Sequence, residues 1–288
     1  MVERLKHAIE KARALREAQA AEQPAAGVAA APRPSSPAAS APAGSSAAVS
    51  ETDAFWSSLR ELELRPERLH RSRIVTHDKS DLAHIPFDLL RTRLMKVLRD
   101  NGWRRVAITS PTKGCGKTLV AANLAFSLAR QPDYRTLLID MDLKAPEMAR
   151  ILGQKEASPL AWLLSGRTQP EAALMRVGMN LALGLNGERV RDSTEMIQDE
   201  KTVSLLASIT ERLDPDVVIY DLPPLLVSDD AIAFVQHVDC VLLVAAAGQT
   251  TAKDIESCER MFAGQVNFLG VLLNKAEDGV NRKAYEYA

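Results

Sequence analysis

From about residue 104 to residue 274 the apolar positions alternate between two periodicities. Short, nearly continuous apolar runs lie at 104–110 (RRVAITS), 135–141 (RTLLIDM), 179–184 (MNLALG), 216–221 (DVVIYD), 239–245 (DCVLLVA) and 267–274 (NFLGVLLN). Between them, helical spacing runs through 117–130, 159–165, 194–212, 228–237 and 251–263. Strands apolar on both faces and separated by helices predict a doubly wound α/β fold, a mostly parallel sheet with helices on both sides. Upstream, Phe55, Trp56, Leu59 and Leu62 give 52–63 a helical period, and Leu90, Leu94, Val97 and Leu98 do the same for 82–100.

Before residue 51 the pattern changes. Residues 2–19 place Val2, Leu5, Ile9, Ala12 and Leu15 near heptad spacing against a charged face, so 1–19 reads as an amphipathic helix. Such a helix either docks on a membrane surface or partner, or stays a solvated terminus, since isolated helices of this length are marginal in water. Residues 20–50 are dominated by Ala, Pro and Ser, with Glu22 and Arg33 as their only charges. That stretch cannot bury enough apolar surface to offset ordering entropy, and we read it as a disordered linker. The expected organisation is a docking helix, a linker, one folded domain at 51–278 and a short tail at 279–288.

Composition narrows the class. With 36 basic against 37 acidic residues, the chain lacks the basic surplus that non-specific nucleic-acid binding requires. Three cysteines, Cys115, Cys240 and Cys258, have no metal-ligand spacing and make no disulfide framework. No apolar run reaches the roughly 18–20 residues of a membrane helix, and the N-terminus lacks a signal-peptide core. A cytoplasmic protein is the expectation.

The candidate chemistry sits at the carboxyl ends of the predicted strands, where open α/β sheets bind ligands. The first strand runs into Pro111-Thr112-Lys113-Gly114-Cys115-Gly116-Lys117-Thr118 and then a helix. Strand, glycine loop and helix form the context in which backbone N–H groups and a helix N-terminus cradle phosphates. Lys117 would bridge phosphates and the Thr118 hydroxyl would ligand Mg²⁺, although Pro111 stands where the usual pattern has its first glycine. Two further runs, 137–146 (LLIDMDLKAP) and 217–224 (VVIYDLPP), place Asp140, Asp142 and Asp221 at strand ends facing the same crevice. Carboxylates there can hold a metal and its waters, and one can take a proton from a nucleophile.

These three segments, TSPTKGCGKT, LLIDMDLKAP and VVIYDLPP, resemble the Walker A, A′ and B motifs of the bacterial tyrosine kinases of capsule and exopolysaccharide synthesis. The broader relatives are the deviant-Walker septum-site and partitioning ATPases. The resemblance spans residues 70–275 and implies a P-loop NTPase fold using ATP and Mg²⁺. It implies nucleotide contacts from Thr112 to Thr118, with Lys117, Asp140, Asp142 and Asp221 catalytic. Thr118, Asp140 and Asp221 would form the metal's shell, and Asp142 would orient or deprotonate the attacking tyrosine. Lys144 stands where the family usually has Arg. Autophosphorylation between subunits is implied at a C-terminal tyrosine cluster, here Tyr285 and Tyr287, which are half of the four tyrosines. A membrane-embedded activator on a separate chain is implied as well, recruiting the kinase to the inner face of the plasma membrane.

Several positions depart from the family pattern. Its E-x-x-R-x-x-R ring helix aligns with 85–91 (IPFDLLR), which keeps only Arg91, so self-association through that helix is incomplete. Arg60, Arg65, Arg68, Arg71 and Arg73 form a basic stretch that either docks a phosphorylated tail or acidic partner, or is a solvated face. Asn274-Lys275-Ala276-Glu277 resembles the guanine motif of GTPases with Glu in place of Asp; the family instead implies ATP, with Asn274 near the adenine. The alternative function is a nucleotide-switched positioning ATPase without tyrosine chemistry. Its signature lysine would fall at position 112, which is Thr, with Lys113 one place away.

Overall fold

A computed structural model of the chain describes residues 50–154 and 160–276. The predicted segments 1–19 and 279–288, nearly all of 20–50, Glu277, Tyr285 and Tyr287 lie outside the described residues. In chain order the elements are α1 (Glu51–Ser58), β1 (Arg60–Glu61), α2 (Pro66–Arg71), a 3₁₀ turn (Leu82–His84), α3 (Ile85–Asn101), β2 (Arg105–Thr109) and α4 (Lys117–Ala129). There follow β3 (Thr136–Asp140), α5 (Met148–Ile151), α6 (Leu160–Leu164), α7 (Pro170–Ala173), β4 (Leu174–Val177), β5 (Leu181–Gly184), α8 (Ser193–Gln198) and α9 (Glu200–Leu213). The remainder is β6 (Val217–Asp221), α10 (Asp229–Val235), β7 (Cys240–Ala246), α11 (Ala252–Phe262) and β8 (Asn267–Asn274).

The strands form one sheet in the order β1-β4-β5-β3-β6-β2-β7-β8. All neighbours run parallel except β4 and β5. The central strands β2, β3, β6 and β7 are buried along their length apart from Arg105, as continuous apolar runs covered on both faces require. Helix α4 explains its own composition: the small residues of LVAANLAFSLA let it bury nearly every side chain between sheet and α3. Pro86 falls in the first turn of α3, where its missing N–H costs nothing.

The structure corrects two sequence-based boundaries and adds two strands. The helix expected at 52–63 stops at Ser58, and the chain turns out through β1 while Leu59 and Leu62 stay buried. The helix expected at 194–212 divides at Asp199, whose extended backbone ends α8 and whose carboxylate caps α9 at Lys201 N. Strands β1 and β4 carry no apolar run: β1 is an exposed Arg-Glu pair, and β4 is four residues interrupted by Arg176. Trp56 fastens α1 to the domain, its buried indole N–H donating to the Leu213 carbonyl at 2.8 Å.

Register then positions the site. Asp140 on β3 pairs with Asp221 on β6, and Asp221 pairs in turn with Ile108 on β2. The glycine loop that follows β2 and the two strand-end carboxylates therefore emerge side by side.

Candidate nucleotide-binding site

The glycine loop is shaped from outside. The Gln249 side chain donates to the Lys113 carbonyl (2.7 Å), Lys275 Nζ to the Gly114 carbonyl (2.6 Å) and Asn274 Nδ2 to the Cys115 carbonyl (2.9 Å). A trans peptide directs its N–H opposite to its C=O. Holding those three carbonyls on one side turns the N–H groups of Gly114, Cys115 and Gly116 to the other, the arrangement of an anion cradle. Gly116 is required twice over: its φ is +90°, and a Cβ there would lie 2.4 Å from Asn274 Nδ2. Beneath the loop, Thr109 Oγ1 donates to the Pro223 carbonyl (2.7 Å), tying it to the segment after Asp221.

Lys117 opens α4 and is buried, with its ammonium 2.8 Å from Asp142 Oδ2 and 3.2 Å from Asp221 Oδ1. It also reaches Thr118 Oγ1 at 3.2 Å. The second Asp142 oxygen accepts from Ala145 N (3.1 Å), and Asp140 accepts from Asp142 N (3.2 Å) and Met148 N (3.1 Å). Burial opposes the Lys117 charge, but the carboxylates of Asp221, Asp142 and Asp140 outweigh it and hold the ammonium protonated. Burial pushes Asp140 well above the usual carboxylate range, and neighbouring Asp221 pushes it further. Asp221 is raised by burial and by Asp142, against the pull of Lys117.

Three buried carboxylates thus face one cation, and the buried Asp221 Oδ2 has no hydrogen-bond partner. That residual negative charge and orphaned acceptor fit a hard divalent cation of the Mg²⁺ type. Such an ion takes one or two protein oxygens and completes its shell with water and phosphate. Among the described residues no three His, Cys, Asp or Glu side chains form a metal cage by themselves.

Sequence reasoning missed several participants. Gln249 and Lys275 hold the loop with no local sequence signal, and Asn274 lies against the loop backbone. Lys144 reaches a wholly buried Asp230 at 2.7 Å, together with Thr194 Oγ1 at 3.1 Å and Ser228 Oγ at 3.5 Å. The only local signal for Asp230 was a Ser-Asp-Asp helix start. Elsewhere, Arg91 is committed internally, donating to the Ser127 carbonyl (2.9 Å) and to Asp88 (3.2 Å). In the basic stretch, Arg68 donates to the Arg150 carbonyl at 3.1 Å, and Arg65, Arg71 and Arg73 are exposed. Cys115 is buried, with its sulfur near Thr112 and Thr250.

The family pattern CbiA, described as the CobQ/CobB/MinD/ParA nucleotide binding domain, matches residues 106–287. The tyrosine-protein kinase CpsD of Streptococcus pneumoniae is 30% identical over 181 residues, 62% of this chain and 78% of CpsD. This chain belongs to the bacterial tyrosine-kinase family. The tyrosine-protein kinase wzc of Salmonella typhi is 29% identical over 197 residues, 68% of this chain but only 27% of wzc. The chain therefore spans most of one relative and about a quarter of the other. The kinase domain of the Escherichia coli tyrosine kinase ETK superposes with a TM-score of 0.65 at 26% identity, covering 72% of this chain and 82% of that domain. Both the fold class and the family implied by the three Walker-like segments are borne out. Among the described residues no helix is long and apolar enough to cross a membrane.

Proposed function

We propose that this chain is an ATP-dependent protein-tyrosine autokinase serving capsule or exopolysaccharide synthesis. The observation that carries the reading is the buried Lys117, held between Asp142 and Asp221 at the head of α4, beside a loop whose N–H groups are turned into one crevice. Phosphoryl transfer needs positioning and charge neutralisation more than covalent help, and these groups supply both.

In this reading the N–H groups of 114–118 and the positive end of the α4 dipole bind the phosphates. Lys117 exchanges its carboxylate partners for phosphate oxygens. Asp142, released from the ammonium, orients the incoming tyrosine hydroxyl and accepts its proton. Thr118, Asp140 and Asp221 would hold Mg²⁺, which supplies neutralisation of phosphate charge. The nucleophiles are Tyr285 and Tyr287, presented by a neighbouring copy. A membrane-embedded partner on a separate chain activates the kinase and recruits it to the inner face of the plasma membrane.

The test is to incubate the full chain with ATP and Mg²⁺ and map phosphate by mass spectrometry, with Lys117→Met as control. Phosphotyrosine at Tyr285 or Tyr287 in wild type and none in Lys117→Met is expected. ATP hydrolysis without phosphotyrosine would replace the kinase by a nucleotide switch. Phosphate on other tyrosines alone would remove the tail from the proposal.

A further inference from the structure

Asp230 is wholly buried and stands outside the site just described, yet three side chains from two other segments converge on it. Ser193 Oγ donates at 2.6 Å, Thr194 Oγ1 at 2.5 Å and Lys144 Nζ at 2.7 Å. Ser193 and Thr194 open α8, and Lys144 lies on the loop after β3. Asp230 itself sits in the first turn of α10, just beyond the loop that follows Asp221. Burial works against its charge, but the bonds from Lys144, Ser193 and Thr194 prevail and keep it ionised.

Lys144 is placed so that this anchor is felt at the reactive carboxylate. The turn from Asp142 to Ala145 encloses it, closed by Ala145 N on the Asp142 carbonyl and carboxylate, both at 3.1 Å. The other carboxylate oxygen of Asp142 faces Lys117. The preceding Leu143 carbonyl accepts from Val190 N at 2.9 Å, a second tie to the segment leading into α8. An ion pair with one buried and one half-exposed partner adds little net stability, so geometry is what it can supply.

We propose that Asp230 is a positioning residue: through Lys144 it fixes the 142–145 turn that presents Asp142, and through α10 it fixes that turn relative to the loop following Asp221. The ammonium, with three donors for Asp230, Thr194 and Ser228, makes Lys144 the movable half of the clamp and Asp230 the fixed half. The consequence for catalysis rests on the kinase reading above; the consequence for the loop does not.

The experiment compares Asp230→Asn, Lys144→Met, Lys144→Arg and the Asp230→Asn/Lys144→Met double variant in the full chain. Backbone hydrogen exchange in nucleotide-free protein should be about 10-fold faster at Leu143, Lys144, Ala145, Glu147 and Val190 in Asp230→Asn and in Lys144→Met, with α4 unchanged. In turnover, each single variant should lower kcat about 10- to 100-fold with KM for ATP within about threefold, the signature of a misplaced group. Lys144→Arg should stay within about threefold of wild type, since it keeps the charge. The double variant should be no worse than the worse single, because both break one contact. Unchanged exchange at Leu143, Lys144, Ala145 and Glu147, additive kcat losses, or a rise in KM alone would each overturn the assignment. If wild type makes no phosphotyrosine, the kinase reading fails while hydrogen exchange still decides the role of Asp230. Should Asp230→Asn not fold, Lys144→Met, altering a half-exposed side chain, carries the same test.

Discussion

At the amino ends of the parallel strands, each aspartate has donors of its own. Asp239 accepts from the backbone N–H of Arg104 (2.9 Å) and Arg105 (2.8 Å), and its other oxygen faces the Arg105 guanidinium at 2.6 Å. Asp214 pairs with Arg104 at 2.9 Å, and Asp216 accepts from Arg135 N at 2.7 Å. Burial opposes the Asp239 charge, yet Arg105 and the backbone N–H groups hold its carboxyl below the usual range. At the carboxyl ends, Asp140, Asp142 and Asp221 are buried and share one lysine, and the first and last are shifted upward. The same residue type thus serves two purposes along one sheet. Where the charge has a donor of its own, the carboxylate stabilises the fold; where charge is left over, the protein holds a place for something else.

That contrast can be broken by equal substitutions at the two ends. The largest expected effect is in turnover: Asp221→Asn should lower the rate at saturating ATP by about 10²–10³-fold, and Asp239→Asn should leave it within about twofold. Initial rates of phosphotyrosine formation measure both.

Glycine substitutions come next. Gly116→Ala forces a Cβ to 2.4 Å from Asn274 Nδ2 at a φ of +90°, so nucleotide affinity should weaken by about 10- to 100-fold. Gly102 also has a positive φ, but its Cβ would meet nothing within 4 Å. Gly102→Ala should therefore cost about 1 kcal/mol in folding and leave affinity, read with a fluorescent nucleotide, unchanged.

The smaller effects are in stability, and their signs oppose. Asp221→Asn keeps one oxygen for Lys117, places its amide where Oδ2 has no partner and removes an uncompensated buried charge, so it should raise the melting temperature of nucleotide-free protein by a few degrees, about 1–2 kcal/mol, while lowering activity. Asp239→Asn should cost about 1 kcal/mol at pH 7. Because the folded pKa of Asp239 lies below its unfolded value, that contribution is complete above about pH 4 and is lost as pH falls through the folded value. Thermal melts of wild type and Asp239→Asn should therefore converge in acid and separate toward neutrality.

What could be read from the sequence follows from where each signal lies. Strands β2, β3, β6 and β7 announce themselves because burial on both faces leaves no polar interruption. The pairing of β1 with β4 is set by an exposed Arg60-Glu61 and a short run broken by Arg176, which carry no such period. The loop and its carboxylates were legible because each stands within a few residues of a strand end. Lys144 and Asp230 meet across 86 residues, and Gln249 meets Lys113 across 136, so no local pattern could announce either contact. Asp199 is one polar residue in an amphipathic stretch, and what breaks the helix there is its carboxylate capping the next one at Lys201 N.

The contact that fastens α1 also gives the molecule an optical handle. Of the three tryptophans, Trp56 has no exposed surface, Trp103 is partly buried against the core, and Trp162 is half exposed. Trp56 packs beneath the Arg135 guanidinium, 5.3 Å from its ring centre, with its indole N–H on a helix-end carbonyl. Release of α1 would bring that ring into water and move its emission to longer wavelength, whereas Trp162 already emits from a wet environment. Fluorescence of the unlabelled protein should therefore follow the docking of the domain's first helix.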